Sequence, residues 1–411
     1  MDATRAVEAV FRIESARIIA TVARIVRDVG IAEEIAQDAL VAALEQWPAT
    51  GVPDRPGAWL TATAKHRAVD LVRRKETYAR KLAEVGRTLE DAPPPAGPAE
   101  LVDPEGIDDD LLRLIFTACH PVLATDARIA LTLRLMGGLT TQEIARAFLS
   151  SETAVAQRIV RAKRSLAKAG VPFEVPYGAD REERLTSVLE VIYLVFNEGY
   201  SATAGDDLVR PALCEDALRL ARVLAALMPG EPEVHGLAAL LEFQASRIAS
   251  RTGPGGEPVL IADQNRSKWN RMLIRRGVEA LHRAGTGPYS LQAAIAGAHA
   301  VAVRYEDTDW AMIAALYGRL VLLVPSPVIE LNRAVAVSMA EGPAAALPLV
   351  DALAAEGTLH AYHLLPSVRG DLLERLGRPA EARTEFERAA SLTRNAREQA
   401  LLHERAARVA D

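Results

Sequence analysis

The sequence predicts an all-α protein, and three observations carry that prediction. Nowhere in its 411 residues is there a run of alternating Val, Ile and aromatic residues of the kind that builds strands. Apolar residues recur instead at helical spacing, between clusters of Gly and Pro. Hydrophobic residues make up 50% of the chain, enough for the cores of two or three domains.

Several classes are excluded at the outset. No stretch reaches the ~18 uninterrupted apolar residues of a membrane span, so no membrane association is expected. The opening MDATRAVEAV has no basic region followed by an apolar one, so no secretory leader is expected. Cys119 and Cys214 are the only cysteines, which points to a reducing, cytoplasmic setting and to buried thiols rather than a disulfide framework.

In chain order, the first block (1–80) reads as three helices. Periodicity runs from Val7 to Val29 and is expected to stop at Gly30. A second helix spans Ile31 to Trp47, with Ile35, Leu40 and Leu44 as core positions and Pro48 as its stop. After TGVPDRPG a third begins near Ala58 and continues through WLTATAKHRAVDLVRRKE. Residues 81–110 lose the pattern. They include PPPAGP and, between Leu82 and Asp110, nine acidic residues against one base, the composition of an extended linker.

The segment 111–170 is a second small helical block ending in LTTQEIARAFLSSETAVAQRIVRAKRSLAKAG. Thr140 and Glu143 fit a capping box, Ile144, Ala145 and Phe148 are its core positions, and Leu149-Ser150-Ser151 forms a turn with a serine to cap the next helix. In that helix Val155, Ile159, Ala162 and Leu166 fall in one apolar stripe, while Arg161, Arg164 and Lys168 lie opposite with Arg158 at the edge. Two helices, a tight turn and a basic outer face form a helix-turn-helix, which presents its second helix to the major groove of DNA.

VPFEVPYG then breaks the chain, and residues 180–411 read as helices of about 12–18 residues separated by Gly and Pro. Gly370, Ala382, Phe386 and Ala389 occupy the small–small–aromatic–small positions of a tetratricopeptide unit, and Ala334, Ala346, Val350 and Leu353 echo them upstream. No catalytic set emerges. Gly253 to Gly256 lacks the Lys and Ser/Thr of a phosphate loop and reads as a turn, and His360 and His363 have no third ligand. Asn197, Glu198, Asp263, Arg266, His299, Asp309 and Trp310 could line a polar pocket or knit helices together. No enzyme activity, cofactor or metal is expected.

Charge is unevenly spread. Residues 1–170 hold 23 basic and 23 acidic side chains, so the net −6 belongs to the remainder. A chain that gripped duplex DNA alone would carry a basic excess, because phosphate neutralisation supplies much of the affinity. Weak intrinsic binding, assisted by a partner, is therefore expected. A second basic helix adds to the first: Lys65, Arg67, Arg73, Arg74 and Lys75 lie with Trp59, Thr63 and His66. Cations beside flat rings suit melted DNA, although Trp59 also suits a core position.

These first 170 residues resemble the sigma-70 family of bacterial transcription initiation factors, in its two-domain extracytoplasmic-function form. AEEIAQDALVAALEQW (Ala32–Trp47) is similar to the family's polymerase-binding helix, WLTATAKHRAVDLVRRK (Trp59–Lys75) to the segment that reads and opens the −10 element, and 139–170 to the −35-reading domain. The resemblance implies that Glu33, Glu34, Gln37, Asp38 and Leu40 dock on core RNA polymerase. It implies −10 contacts from Lys65, His66, Arg67, Arg73 and Arg74, with His66 standing where the family commonly has Asn. It implies −35 contacts from Thr153, Gln157, Arg158, Arg161, Arg164 and Lys168, the polar side chains reading base edges and the cations divided between guanines and phosphates. The acidic linker would mimic RNA in the polymerase exit path.

The remainder resembles the tetratricopeptide-like extension of one subgroup, through NEGYSA (197–202), LCEDALRLARVLAALMP (213–229), DQNRSKWN (263–270), GPYSLQAAIAGAHA (287–300), TDW (308–310) and SPVIELNRAVA (326–336). The resemblance implies a cytoplasmic, nucleoid-associated sigma factor with promoter DNA and core polymerase as partners. Its extension would contact and regulate its own sigma domains. The alternative is a stand-alone helix-turn-helix regulator whose C-terminal half senses a ligand or a protein.

Overall fold

A computed structural model describes residues 3–86, 106–148, 150–201 and 208–409. Among them there is no strand, only an isolated bridge between Thr252 and Pro258, and no helix is long and apolar enough to cross a membrane. The chain divides into two compact units, Met1–Val191 and Ile192–Asp411.

The first unit opens with α1 (Ala3–Val26), α2 (Val29–Thr50) and α3 (Pro56–Gly86). The α1/α2 break falls earlier than Gly30, which is itself helical. Arg27 adopts the left-handed conformation with φ +54°, and the Asp28 carboxylate accepts from the N–H groups of Gly30 and Ile31 at 2.7 and 3.0 Å. A side-chain cap that satisfies two free amides decides the boundary over a glycine two residues on. Pro48 does not end α2 either. The helix runs two residues past it and stops at Gly51, with φ +83° and its N–H donating to Trp47 O at 2.9 Å. The three helices close on Ile18, Ile19, Val22, Ala36, Ala43, Trp47, Leu60, Ala64 and Ala68, all buried. Ile35 joins them, whereas Leu40 and Leu44, expected in the core, are half-buried.

The expected linker starts and ends inside helices. Its residues 81–86 continue α3 and 106–110 open α4 (Gly106–Ala118); residues 87–105, with PPPAGP and most of the acids, lie outside the described residues. After α4 come α5 (Thr125–Leu135), α6 (Thr141–Ala147), α7 (Glu152–Lys168) and α8 (Gly178–Tyr200). The boundary between units falls within α8. Its first half belongs to the first unit, where Arg184 donates to Phe116 O at 3.2 Å and the Ser187 hydroxyl donates to Cys119 O at 2.5 Å.

In the second unit α9 (Pro211–Leu227), α10 (Pro232–Ser246), α11 (Arg271–Leu281) and α12 (Pro288–Val301) precede α13 (Trp310–Leu323), α14 (Pro327–Ala340), α15 (Pro343–Glu356), α16 (Leu364–Arg375), α17 (Pro379–Leu392) and α18 (Ala396–Arg408). Prolines open six of these helices, at N-terminal positions where the missing N–H has no intrahelical partner. From α12 onward each helix packs on the next in the chain. Ala382, Phe386 and Ala389 are fully buried in one core with Ala334, Ala346, Val350 and Leu353. A Cβ on Gly370 would lie 2.8 Å from the Phe386 ring, so only glycine lets α16 approach α17 this closely.

Each unit encloses one thiol. Cys119 lies 3.3 Å from the Thr132 hydroxyl, and Cys214 faces Phe196 O at 3.7 Å. Burial pushes their pKa values up to about 11 and about 12.

His299 on α12 meets Trp310 edge-on at 5.0 Å, and burial, with Arg247 and Arg266 nearby, lowers its pKa to about 4. The unfolded imidazole titrates near 6.5, so between these values the unfolded chain holds a proton that the folded chain refuses. Stability therefore falls as pH drops through that window, by at most ~3 kcal/mol from this group. The expected outcome is that His299→Gln gains on the wild-type protein in urea midpoint between pH 7 and pH 4.5; an unchanged difference would contradict the assignment.

Candidate nucleic-acid interface

The α6–α7 pair is built by local chemistry. The Thr140 N–H donates to a Glu143 carboxylate oxygen at 2.8 Å while the Glu143 N–H donates to the Thr140 hydroxyl at 3.1 Å, a reciprocal capping box. The Ser151 hydroxyl accepts from the Ala154 N–H at 3.2 Å and starts α7. Val155, Ile159, Ala162 and Leu166 are all buried, which fixes the rotation of α7. Thr153, Gln157, Arg161, Arg164 and Lys168 consequently share the exposed side, and Arg158 is half-buried, 3.7 Å from Asp126 of α5. Ile144 and Ala145 are buried, but Phe148 is only half-buried, because α6 ends at Ala147 and the ring sits past its last turn. Leu149 of the expected turn lies outside the described residues.

The second basic surface lies on α3. Leu60, Ala64 and Ala68 face the core, so His66, Arg67, Arg73, Arg74 and Lys75 are exposed and Lys65 is half-buried. Trp59 packs edge-on against the buried Trp47, with centroids 5.5 Å apart, and serves as a wall of the core more than as an open stacking platform. Arg67 pairs with Asp38 of α2 at 3.5 Å, both largely exposed, so the contact is weak and exchangeable.

The α2 residues expected to meet polymerase fall into three environments. Glu34 and Asp38 are exposed, Gln37 and Leu40 half-buried, and Glu33 is buried at 4% exposure. One Glu33 oxygen accepts from Arg134 of α5 at 2.6 Å and from Gln37 at 2.8 Å; the other pairs with Lys163 of α7. Arg134 also donates to Leu139 O at 3.1 Å, just ahead of the helix-turn-helix. A second tie joins α1 to α4: buried Asp110 accepts from Arg24 at 2.8 Å and Arg113 at 2.6 Å. Burial raises the Asp110 pKa, and the two guanidiniums pull it back. Asp110 is thus a structural acid rather than part of a solvated acidic linker.

Five of these partners escaped sequence reasoning: Lys163, Arg134, Arg24, Arg113 and Asp110. The single usable signal was geometric. Lys163 lies next to Ala162 on the border of the α7 stripe, and Glu33 stands beside Ala32 and Ala36 on the border of the α2 stripe, where long polar side chains reach across a packed face.

Comparison with known proteins agrees with this architecture. Residues 11–77 match sigma-70 region 2, residues 113–166 match sigma-70 region 4, and residues 184–285 match a family of unknown function, DUF6596. The ECF RNA polymerase sigma factor SigK of Mycobacterium ulcerans (strain Agy99) is 29% identical over 154 residues, 36% of this chain and 78% of that protein. The uncharacterized protein R00370 of Rhizobium meliloti (strain 1021) is 46% identical over 385 residues, 92% of this chain and 90% of that protein. The chain therefore belongs to one family with the Rhizobium protein, and it joins sigma-70 regions 2 and 4, with a sigma-factor-like role in transcription initiation, to a helical DUF6596 domain.

Proposed function

We propose that the protein is an extracytoplasmic-function sigma factor that brings core RNA polymerase to a two-element promoter. Its tetratricopeptide-like C-terminal unit regulates it through contact with the sigma domains. The observation that carries the reading is the rotation of α7: four buried apolar residues hold Thr153, Gln157, Arg161 and Arg164 outward as one polar and basic row. In this reading that row meets the −35 element, with arginines on guanine edges and phosphates. Lys65, His66, Arg67, Arg73 and Arg74 of α3 meet the −10 element, and α2 docks on polymerase. The absence of a net basic charge in residues 1–170 fits a factor that polymerase holds on DNA.

The burial of Glu33 adds a step. Its carboxylate is engaged by Arg134 and Lys163, so docking through Glu33 requires the α2–α7 contact to open. The structure described above corresponds, in this reading, to a closed factor, and polymerase binding competes with an internal ion-pair cluster.

Run-off transcription with purified core polymerase tests the main reading. The full chain should support initiation at a cognate promoter. Arg161→Ala with Arg164→Ala should cut −35-dependent initiation at least tenfold while polymerase binding stays within about twofold. A chain that shifts promoter DNA yet never supports initiation is instead a stand-alone regulator.

Lys163→Gln removes one cation from Glu33. Core polymerase affinity should rise by up to about tenfold, some 1.4 kcal/mol, with little change in the circular dichroism spectrum; weaker binding by a folded variant would mean that the α2–α7 contact assists docking.

Regulation by the second unit needs a clean cut. Deletion after Gly178 would remove α8, whose Arg184 and Ser187 side chains bond the first unit. Ending the chain after Ser201 keeps α8 whole, and promoter output should then change at least threefold in either direction; an unchanged profile would detach the second unit from the control of initiation.

A further inference from the structure

The second unit contains a cavity of about 300 Å³ among the C-terminal half of α8, α10, α12, α13 and α14. That volume is at the lower end of the range for small-molecule sites. Its charge is one-sided. Among the described residues, Arg247 is the only cation in the wall and no carboxylate lines it. Arg247 is in no ion pair among the described residues, and its Nε is buried without a hydrogen-bond partner.

Two further guanidiniums stand behind the same wall. Arg266 is 8% exposed and lies over the Trp269 ring at 4.6 Å; one nitrogen donates to the carbonyls of His299 and Ala302 at 2.6 and 2.9 Å, and its other nitrogens are unpartnered. Arg251 sits 3.7 Å above the Tyr200 ring with one unpartnered nitrogen. Neither is in an ion pair among the described residues. Other arginines of the unit find acids: Arg210 pairs with Glu198, Arg222 with Glu242, Arg369 with Asp351 and Glu385, and Arg405 with Asp371 and Glu374. Desolvating a cation without a paired carboxylate is costly. Arg266 is buried and Arg247 and Arg251 are half-buried, while Glu398 acts on Arg251, and Glu306 and Asp307 on Arg266, without forming ion pairs, so the cluster favours an anion.

The remaining wall says what kind of anion. The Tyr200 hydroxyl and His299 Nδ1 are buried without partners among the described residues, and the imidazole is neutral above about pH 4. Both can supply directional hydrogen bonds beside the guanidinium. Phe243, Trp269 and Ile295 supply a flat apolar surface. Of the polar residues singled out in the sequence, Asn197 and His299 line this cavity. Glu198 is tied to Arg210, Asp309 caps α13 by accepting from Met312 at 2.9 Å, and Asp263 is exposed.

We propose that this cavity binds a small planar organic acid, its carboxylate on Arg247 with Tyr200 and His299, and its apolar body against Trp269 and Phe243. The second unit is then a ligand-binding module. Binding is read without polymerase or promoter, so its failure leaves the transcriptional reading standing and the failure of that reading leaves binding measurable.

The test is calorimetric titration of the full chain with 2-naphthoate and with 2-naphthamide, its uncharged isostere. 2-Naphthoate should bind saturably with a dissociation constant below about 1 mM, and the amide at least tenfold more weakly. Arg247→Gln should lower naphthoate affinity at least tenfold, and Arg247→Lys should restore part of it. Should Arg247→Gln fail to fold, Ala296→Phe, which fills the cavity from α12, should abolish binding while the thermal transition persists. Absence of saturable binding, equal affinity for the amide, or unchanged affinity in the cavity-filled variant would overturn the proposal.

Discussion

The first unit depends on one buried carboxylate. Glu33 takes hydrogen bonds and charge from Arg134, Lys163 and Gln37, and so ties α2 to α5 and α7. Burying an ion pair gains little over an apolar contact, but removing one partner costs roughly 3–5 kcal/mol, because the other charge is stranded. Such a cluster specifies an arrangement more than it stabilises one. It holds only while all its members are present, and any surface that offers Glu33 another cation competes with it on equal terms. The Asp110–Arg24–Arg113 cluster repeats the device between α1 and α4.

Local features were legible in the sequence because local chemistry sets them. The Thr140–Glu143 box, the Ser151 cap and the α7 stripe rest on contacts three or four residues apart, and all three are present. Boundaries decided by competition were harder to read. Asp28 won over Gly30 by capping two amides, and Pro48 was absorbed near the end of α2 because only one backbone hydrogen bond is lost there. Contacts across many residues were not legible. Nothing in Glu33–Glu34 says which acid turns inward until α5 and α7 supply Arg134 and Lys163, 101 and 130 positions away.

The second unit shows the same division. Small residues facing Phe386 could be found by spacing, since one missing side chain allows one close approach. The unpaired guanidiniums could not, because Arg247, Arg251 and Arg266 look in sequence like the paired arginines around them. Only the placement of acids in three dimensions separates arginines that hold helices together from arginines that await a counter-ion.

The two thiols acquire a use from where they lie. Cys119 belongs to the first unit and Cys214 to the second, and each is sealed in a core with its pKa far above neutrality. Neither offers thiolate to a reagent while its surroundings are intact. Alkylation of each therefore waits on an opening of the core around it, and the chain carries two clocks, one in each half.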